Sequence, residues 1–133
     1  MNSIIAVLGL TLCLAAQGAQ PGTAPKPADF QGVWTGVAVI PDQGDDQVTL
    51  TLKVDKGACT GTIQDSTGLI AAPDILNVTI EQARITFDIT LGNPNGTFPV
   101  HVELTLESDT LVGKWWNDGG ETGPVKIARK SAL

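Results

Sequence analysis

The sequence predicts an all-β domain, a single antiparallel up-and-down β-barrel of eight or nine strands. Three observations carry this expectation. From about residue 30 onward, apolar side chains recur at every second position, the period of a strand with one buried face. The alternating stretches are joined by short Gly-, Asn-, Asp- and Pro-rich connections that leave no room for a parallel crossover, so neighbouring strands run antiparallel. Beyond residue 20 no stretch has a helical apolar period. The sheet must therefore cover its own apolar face, and closing it into a barrel does so while removing its edges.

The first strand is expected over Phe30–Ile40, with Trp34 set between Gly32 and Gly36 and plugging one end of the barrel. Pro41–Asp46 reads as a turn by composition. Gln47–Val54 alternates cleanly, placing Val48, Leu50, Leu52 and Val54 on one face and Thr49, Thr51 and Lys53 on the other. Asp55–Gly57 turns into a Thr-rich strand, Ala58–Asp65, with Cys59, Gly61 and Ile63 sharing a face. After Ser66–Gly68, Leu69–Ala72 is a short strand that Pro73 interrupts. Ile75–Gln82 follows, with Leu76, Val78 and Ile80 inward.

Arg84–Leu91 turns Ile85, Phe87, Ile89 and Leu91 inward. Asn93–Gly96 is a hairpin signal. It leads into Thr97–Glu107, the longest clean alternation, with Phe98, Val100, Val102, Leu104 and Leu106 inside and His101, Glu103 and Thr105 outside. Ser108–Asp109, the strand Thr110–Asn117, the turn Asp118–Gly120 and a last strand over Thr122–Lys130 complete the chain.

Composition bounds the function. The 133 residues suffice for one domain, and 42% apolar content with 17% charged residues excludes wholesale disorder. The net charge of −6, with its basic residues scattered, excludes a clustered nucleic-acid-binding face. Residues 1–19 carry no charged side chain, and Ile4–Ala16 has the length of a signal-peptide core, too short to span a bilayer. The expected organisation is a signal peptide over 1–19, a Pro-rich linker over 20–29 and the barrel over 30–130, in a secreted or periplasmic protein with no integral membrane span in its mature form. Lipid anchoring through Cys13 is the lesser alternative, because Leu12 stands where a lipoprotein signal places a small residue. Removal of the signal leaves Cys59 as the single cysteine, so no internal disulfide forms and the core alone must hold the fold.

Gly32-Val33-Trp34 on the first strand and Arg129 near the end of the last resemble the lipocalin and calycin superfamily of barrels. In that family a G-x-W indole packs at the closed end and a basic residue from the last strand lies across it. The resemblance therefore implies closure of one barrel end by Trp34 and Arg129, with a cation–π contact between them. Thr60-Gly61-Thr62 and Thr110-Leu111-Val112-Gly113 are similar in texture to short secreted bacterial lipocalin-like domains. Avidin-like barrels share the opening pattern, but none of their ligand-contacting motifs is matched. The loops are shorter than in ligand-carrying lipocalins, so the resemblance bears more on the barrel than on a pocket.

The expected function is non-enzymatic: a lipocalin-like barrel that binds a small apolar ligand in its interior. The candidate lining is Leu50, Leu52, Phe87, Ile89, Val100, Val102, Leu104 and Trp115. The alternative is a packed-core interaction module whose protein partner meets an exposed face around Trp116, the outward member of the Trp115–Trp116 pair. No catalytic residue, metal ligand or cofactor is assigned. His101, the single histidine, reads as a solvated surface residue beside Glu103, and Cys59 as a small core residue. Asp42, Asp45 and Asp46 concentrate carboxylates in one turn, but their spacing matches no EF-hand, and acidic turns are common.

Overall fold

The structure, a computed structural model, describes residues 25–131. The expected signal peptide, Cys13 within it and the linker over 20–24 lie outside the described residues. Alternation produces the sheet as expected. Eight strands, β1 (Gly32–Ile40), β2 (Gly44–Asp55), β3 (Ala58–Asp65), β4 (Ile70–Glu81), β5 (Arg84–Asn93), β6 (Gly96–Glu107), β7 (Thr110–Asn117) and β8 (Thr122–Ser131), pair in chain order. β8 returns to pair antiparallel with β1 and closes the barrel. Gly36 permits that closure, since a Cβ there would strike the Lys126 carbonyl and the Ile127 backbone.

Three local expectations are corrected. Phe30 is not on the first strand. Pro27–Phe30 forms a short 3-10 helix that buries the Phe30 ring under the barrel. Pro27 brings a φ already suited to a helical turn, and the Asp29 carboxylate accepts the Lys26 backbone N–H at 2.8 Å. The turn after β1 is also shorter than expected. Pro41–Gln43 suffices, closed by the Gln43 N–H donating to the Ile40 carbonyl at 3.0 Å, with Asp42 at φ 68°. Asp45 and Asp46 consequently lie on β2, paired with Val39 and Ala38.

The third correction concerns β4. Pro73 does not interrupt it, and the strand runs through from Ile70 to Glu81. The missing N–H is tolerated because β3 and β4 pair at a single position, Thr62 with Asp74. Leu76 does not face inward. Asn77 adopts φ 55°, and the β4–β5 register shifts between Leu76 and Thr79. The bulge reverses the phase of the strand. Ile75 is thereby buried, Leu76 stands 50% exposed, and Val78 and Ile80 rejoin the core.

The core is densest at the end where β1 begins. Trp34 is fully buried there with Phe30, Leu50, Leu52, Ile85 and Leu111. The Trp34 indole N–H donates to the Phe30 carbonyl at 3.0 Å, which satisfies its one polar atom. Arg129, paired with Trp34 across the β1–β8 seam, lies over the indole with its guanidinium carbon 4.2 Å from the ring centroid. Its remaining donors reach the Gln31 carbonyl at 2.6 Å, the Asp29 carbonyl at 2.8 Å and the Asp109 carboxylate at 3.0 Å.

Trp34→Ala should cost about 3–5 kcal/mol, the range for emptying a large aromatic site. Arg129→Lys keeps the charge but loses the planar fork, and should cost about 1–3 kcal/mol. Urea denaturation midpoints check both. A cost within error of zero for either variant would remove this plug from the account of the fold.

Candidate functional site

The inward rows of the strands continue past the packed end, and there the side chains no longer fill the space. A cavity of about 150 Å³ opens between them and reaches the opposite end of the barrel. Phe87 and Ile89 from β5, Val100, Val102 and Leu104 from β6, and Trp115 from β7 line it. These are six of the eight candidate lining residues. Leu50 and Leu52 do not join them. Both are fully buried on β2, where Leu50 pairs with Trp34 and Leu52 with Gly32, in the packed half. Position along the strand separates the two groups, whereas alternation alone treats them alike.

Trp115 is fixed by a hydrogen bond across the barrel wall. Its indole N–H donates to the Val39 carbonyl on β1 at 2.9 Å, passing over β8. Gly123 makes that reach possible, because a Cβ there would meet both the Val39 carbonyl and the indole. The ring thus presents an apolar surface to the cavity with its polar atom satisfied in the wall.

At the mouth the lining becomes mixed. Ile40, Pro41, Leu69, Leu91 and Phe98 supply apolar surface; Gln43, Asp46, Asn117 and Glu121 supply polar groups. Asp46, read from composition as one of three carboxylates in a turn, is instead a buried inward residue of β2. It is 5% exposed. Its position, two residues before Val48 in the same alternation, was the available signal, and reading it as part of a turn hid that phase. Asp46 Oδ1 accepts the Ser66 hydroxyl at 3.4 Å and lies 3.1 Å from the Thr67 hydroxyl, whose single proton it shares with the nearer Asp65 carboxylate at 2.8 Å. Burial, and then the neighbouring Asp65, push its carboxyl above the ordinary aspartate range. Burial works in the same direction on Asp65. There it is outweighed by hydrogen bonds from the Asp46 carboxyl, the Thr67 hydroxyl and the Leu69 and Ile70 backbone N–H groups, so Asp65 is held low.

The outer face carries a second constellation. His101 Nδ1 lies 2.7 Å from Asp88 Oδ1, and Nε2 lies 3.0 Å from Asp118 Oδ1. Asn77 donates to the other Asp88 oxygen at 2.9 Å. The imidazole also packs on Trp116, with ring centroids 5.5 Å apart, and Lys114 Nζ lies 5.5 Å from the Trp116 ring centroid. Trp116 is therefore half-buried between its neighbours rather than a bare aromatic face. His101 is likewise half-buried and clasped, not freely solvated as expected. Two carboxylates facing both ring nitrogens favour the imidazolium, in which both are donors. The Asp88 and Asp118 hydrogen bonds accordingly raise His101 above its ordinary pKa. For Asp88, burial is outweighed by the donors Asn77 and His101, and its pKa falls.

Both His101 nitrogens are engaged with carboxylates on the outer face, while Cys59 packs against the core, its thiol pushed up by burial. Among the described residues no group of three or more His, Cys, Asp or Glu side chains is arranged to hold a metal ion. No described helix is long and apolar enough to cross a membrane. Comparison with family models, with characterised proteins and with solved structures finds no match to this chain.

The His101 clasp has a defined pH signature. Its folded pKa is raised, so its stabilisation is complete below the ordinary value of 6.5 and fades as pH rises through the raised one. The melting-temperature advantage of the native protein over His101→Asn should therefore be full below the ordinary His value of about 6.5 and shrink as pH rises above it. It should also shrink in high salt. An advantage that is constant or grows with pH would contradict the clasp.

Proposed function

We propose that this chain is an exported, non-enzymatic, lipocalin-like barrel that takes a small apolar molecule into the open half of its interior. The observation that carries this reading is the apolar cavity behind the mouth, walled by Phe87, Ile89, Val100, Val102, Leu104 and Trp115. Its 150 Å³ is some five times the ~30 Å³ share of one liquid water. An apolar cavity of that size accepts a benzene-sized guest. It is well below the ~300–1,000 Å³ of pockets that enclose drug-sized ligands. The ligand that fits inside is therefore a single ring or a short branched chain, and a long acyl chain would have to extend out through the mouth.

The closed end supports the lipocalin-like reading through the Trp34–Arg129 stack. Export rests on the charge-free apolar segment at residues 4–16. A binding role rather than catalysis is favoured because the cavity wall offers surface and shape but no nucleophile with an adjacent base.

Trp115 lies in the cavity wall, so intrinsic fluorescence reports occupancy. Titration with toluene should give a saturable change. Val102→Phe places an added ring in the cavity and should abolish the toluene signal while unfolding remains cooperative. Absence of saturation by toluene in the native protein would refute the reading.

A further inference from the structure

We propose that the cavity selects a small apolar ligand carrying a protonated amine, with the Asp46 carboxylate at the mouth receiving the ammonium group. This rests on the binding reading above and adds the chemical class of the ligand. Among the residues lining the cavity and its mouth, Asp46 and Glu121 are charged and none is Lys, Arg or His. A carboxylate or phosphate entering this space would meet like charge with no counter-ion, whereas a cation meets complementary charge in a poorly solvated site.

Asp46 differs from an ordinary acidic residue at a rim. Its side chain lies in a residue only 5% exposed, yet it borders the cavity. Its partners are the Ser66 and Thr67 hydroxyls, the Thr67 backbone and the Asp65 carboxyl, and among the described residues none of them is a cation. The charge acting on it is that of Asp65, of like sign. Buried carboxylates are ordinarily paired or fully hydrogen-bonded, because an unpaired buried charge is costly. An ammonium group at the mouth supplies the missing counter-charge to the Asp46–Asp65 pair and donates to Asp46 in a charge-assisted bond.

The geometry also orients the ligand. Asp46 pairs with Ala38 near the open end of β1 and β2, on the mouth side of Val48. The ring of a benzylamine-sized molecule would lie inward against Phe87, Val102 and Trp115, with its amine directed outward to Asp46. Glu121, whose carboxylate accepts the Asn117 side-chain amide at 2.9 Å, adds negative potential at the same rim.

The test compares benzylamine, benzyl alcohol and benzoate in equilibrium titrations of the full mature protein near neutral pH. Benzylamine should bind about tenfold or more tighter than benzyl alcohol, with benzoate weakest. Asp46→Asn should bring the amine within about twofold of the alcohol without changing alcohol binding. Asp65→Asn removes the like charge but leaves Asp46, and should retain the amine preference; that variant, with thermal melts of both, separates loss of recognition from loss of fold. If the amine binds no better than the alcohol, or Asp46→Asn keeps the preference, or Asp65→Asn abolishes it in a folded protein, the assignment to Asp46 is overturned while the cavity reading stands. If none of the three compounds binds, both fall.

Discussion

The structure depends on one stacked contact, the Arg129 guanidinium lying over the buried Trp34 indole. A barrel must fill its ends as well as close its sides, and an indole is the largest apolar plug a single residue offers. Burying it raises two problems: its N–H needs an acceptor, and one ring face still points toward solvent. The Phe30 carbonyl answers the first and Arg129 the second. Arg129 also holds the Asp29 and Gln31 carbonyls, so the last strand fastens the segment that precedes the first. Gln31 in turn accepts the Val54 backbone N–H through its side chain. The two ends of the described chain are thus joined through one side chain, where the β1–β8 ladder alone would leave the 3-10 helix free to fray.

Against that tight end, the β3–β4 seam is the loosest part of the wall. One ladder pair holds it, Pro73 contributes no N–H, and the Asn77 bulge turns Leu76 out to solvent. Few backbone hydrogen bonds cross this seam, which makes it the natural place for local opening. It borders the cavity through Ile63 on β3 and Ile70 on β4. Flexibility in the wall and unfilled space in the interior therefore occur together, on the side away from the β1–β8 closure.

Most of the fold was legible because period two is a strong signal when nearly every strand has one wet face. The bounds of β3 and β7 follow from alternation and turn residues alone. What alternation could not reveal was a break in its own phase. Nothing in Leu76-Asn77-Val78 announces a left-handed Asn, so Leu76 was read as inward in place of Ile75, while Val78 and Ile80 were read correctly. The His101 clasp was in principle readable. The pairing of Asn93 with Gly96 fixes Asp88 opposite His101, and the two-residue turn Ser108–Asp109 fixes His101 opposite Trp116. Strand-by-strand reading missed it because the partners come from three strands and a turn, and only the register brings them together. Asp46 was missed for the opposite reason, since its local composition looked like a turn and outweighed its place in the inward row.

The interior rows of both halves use the same residue types, so the cavity reflects the size of the side chains chosen and not a different pattern. Where the barrel is packed, the inward positions carry Trp34, Phe30 and a layer of Leu and Ile. Across the cavity, β6 offers Val100 and Val102, and β1 offers Ala38. At about 24 cal/mol per Å³, leaving some 150 Å³ unfilled costs at most about 4 kcal/mol relative to a repacked core. That is a large fraction of the ~5–15 kcal/mol that stabilises a typical domain. Larger aliphatic side chains at Val100, Val102 or Ala38 would fill much of the space with no change in strand pattern. On the proposed reading, a sequence that packs one end around an indole, keeps small side chains at the other and places Asp46 at that mouth leaves room for an occupant, and the energy forgone in the empty barrel would be available to bind it.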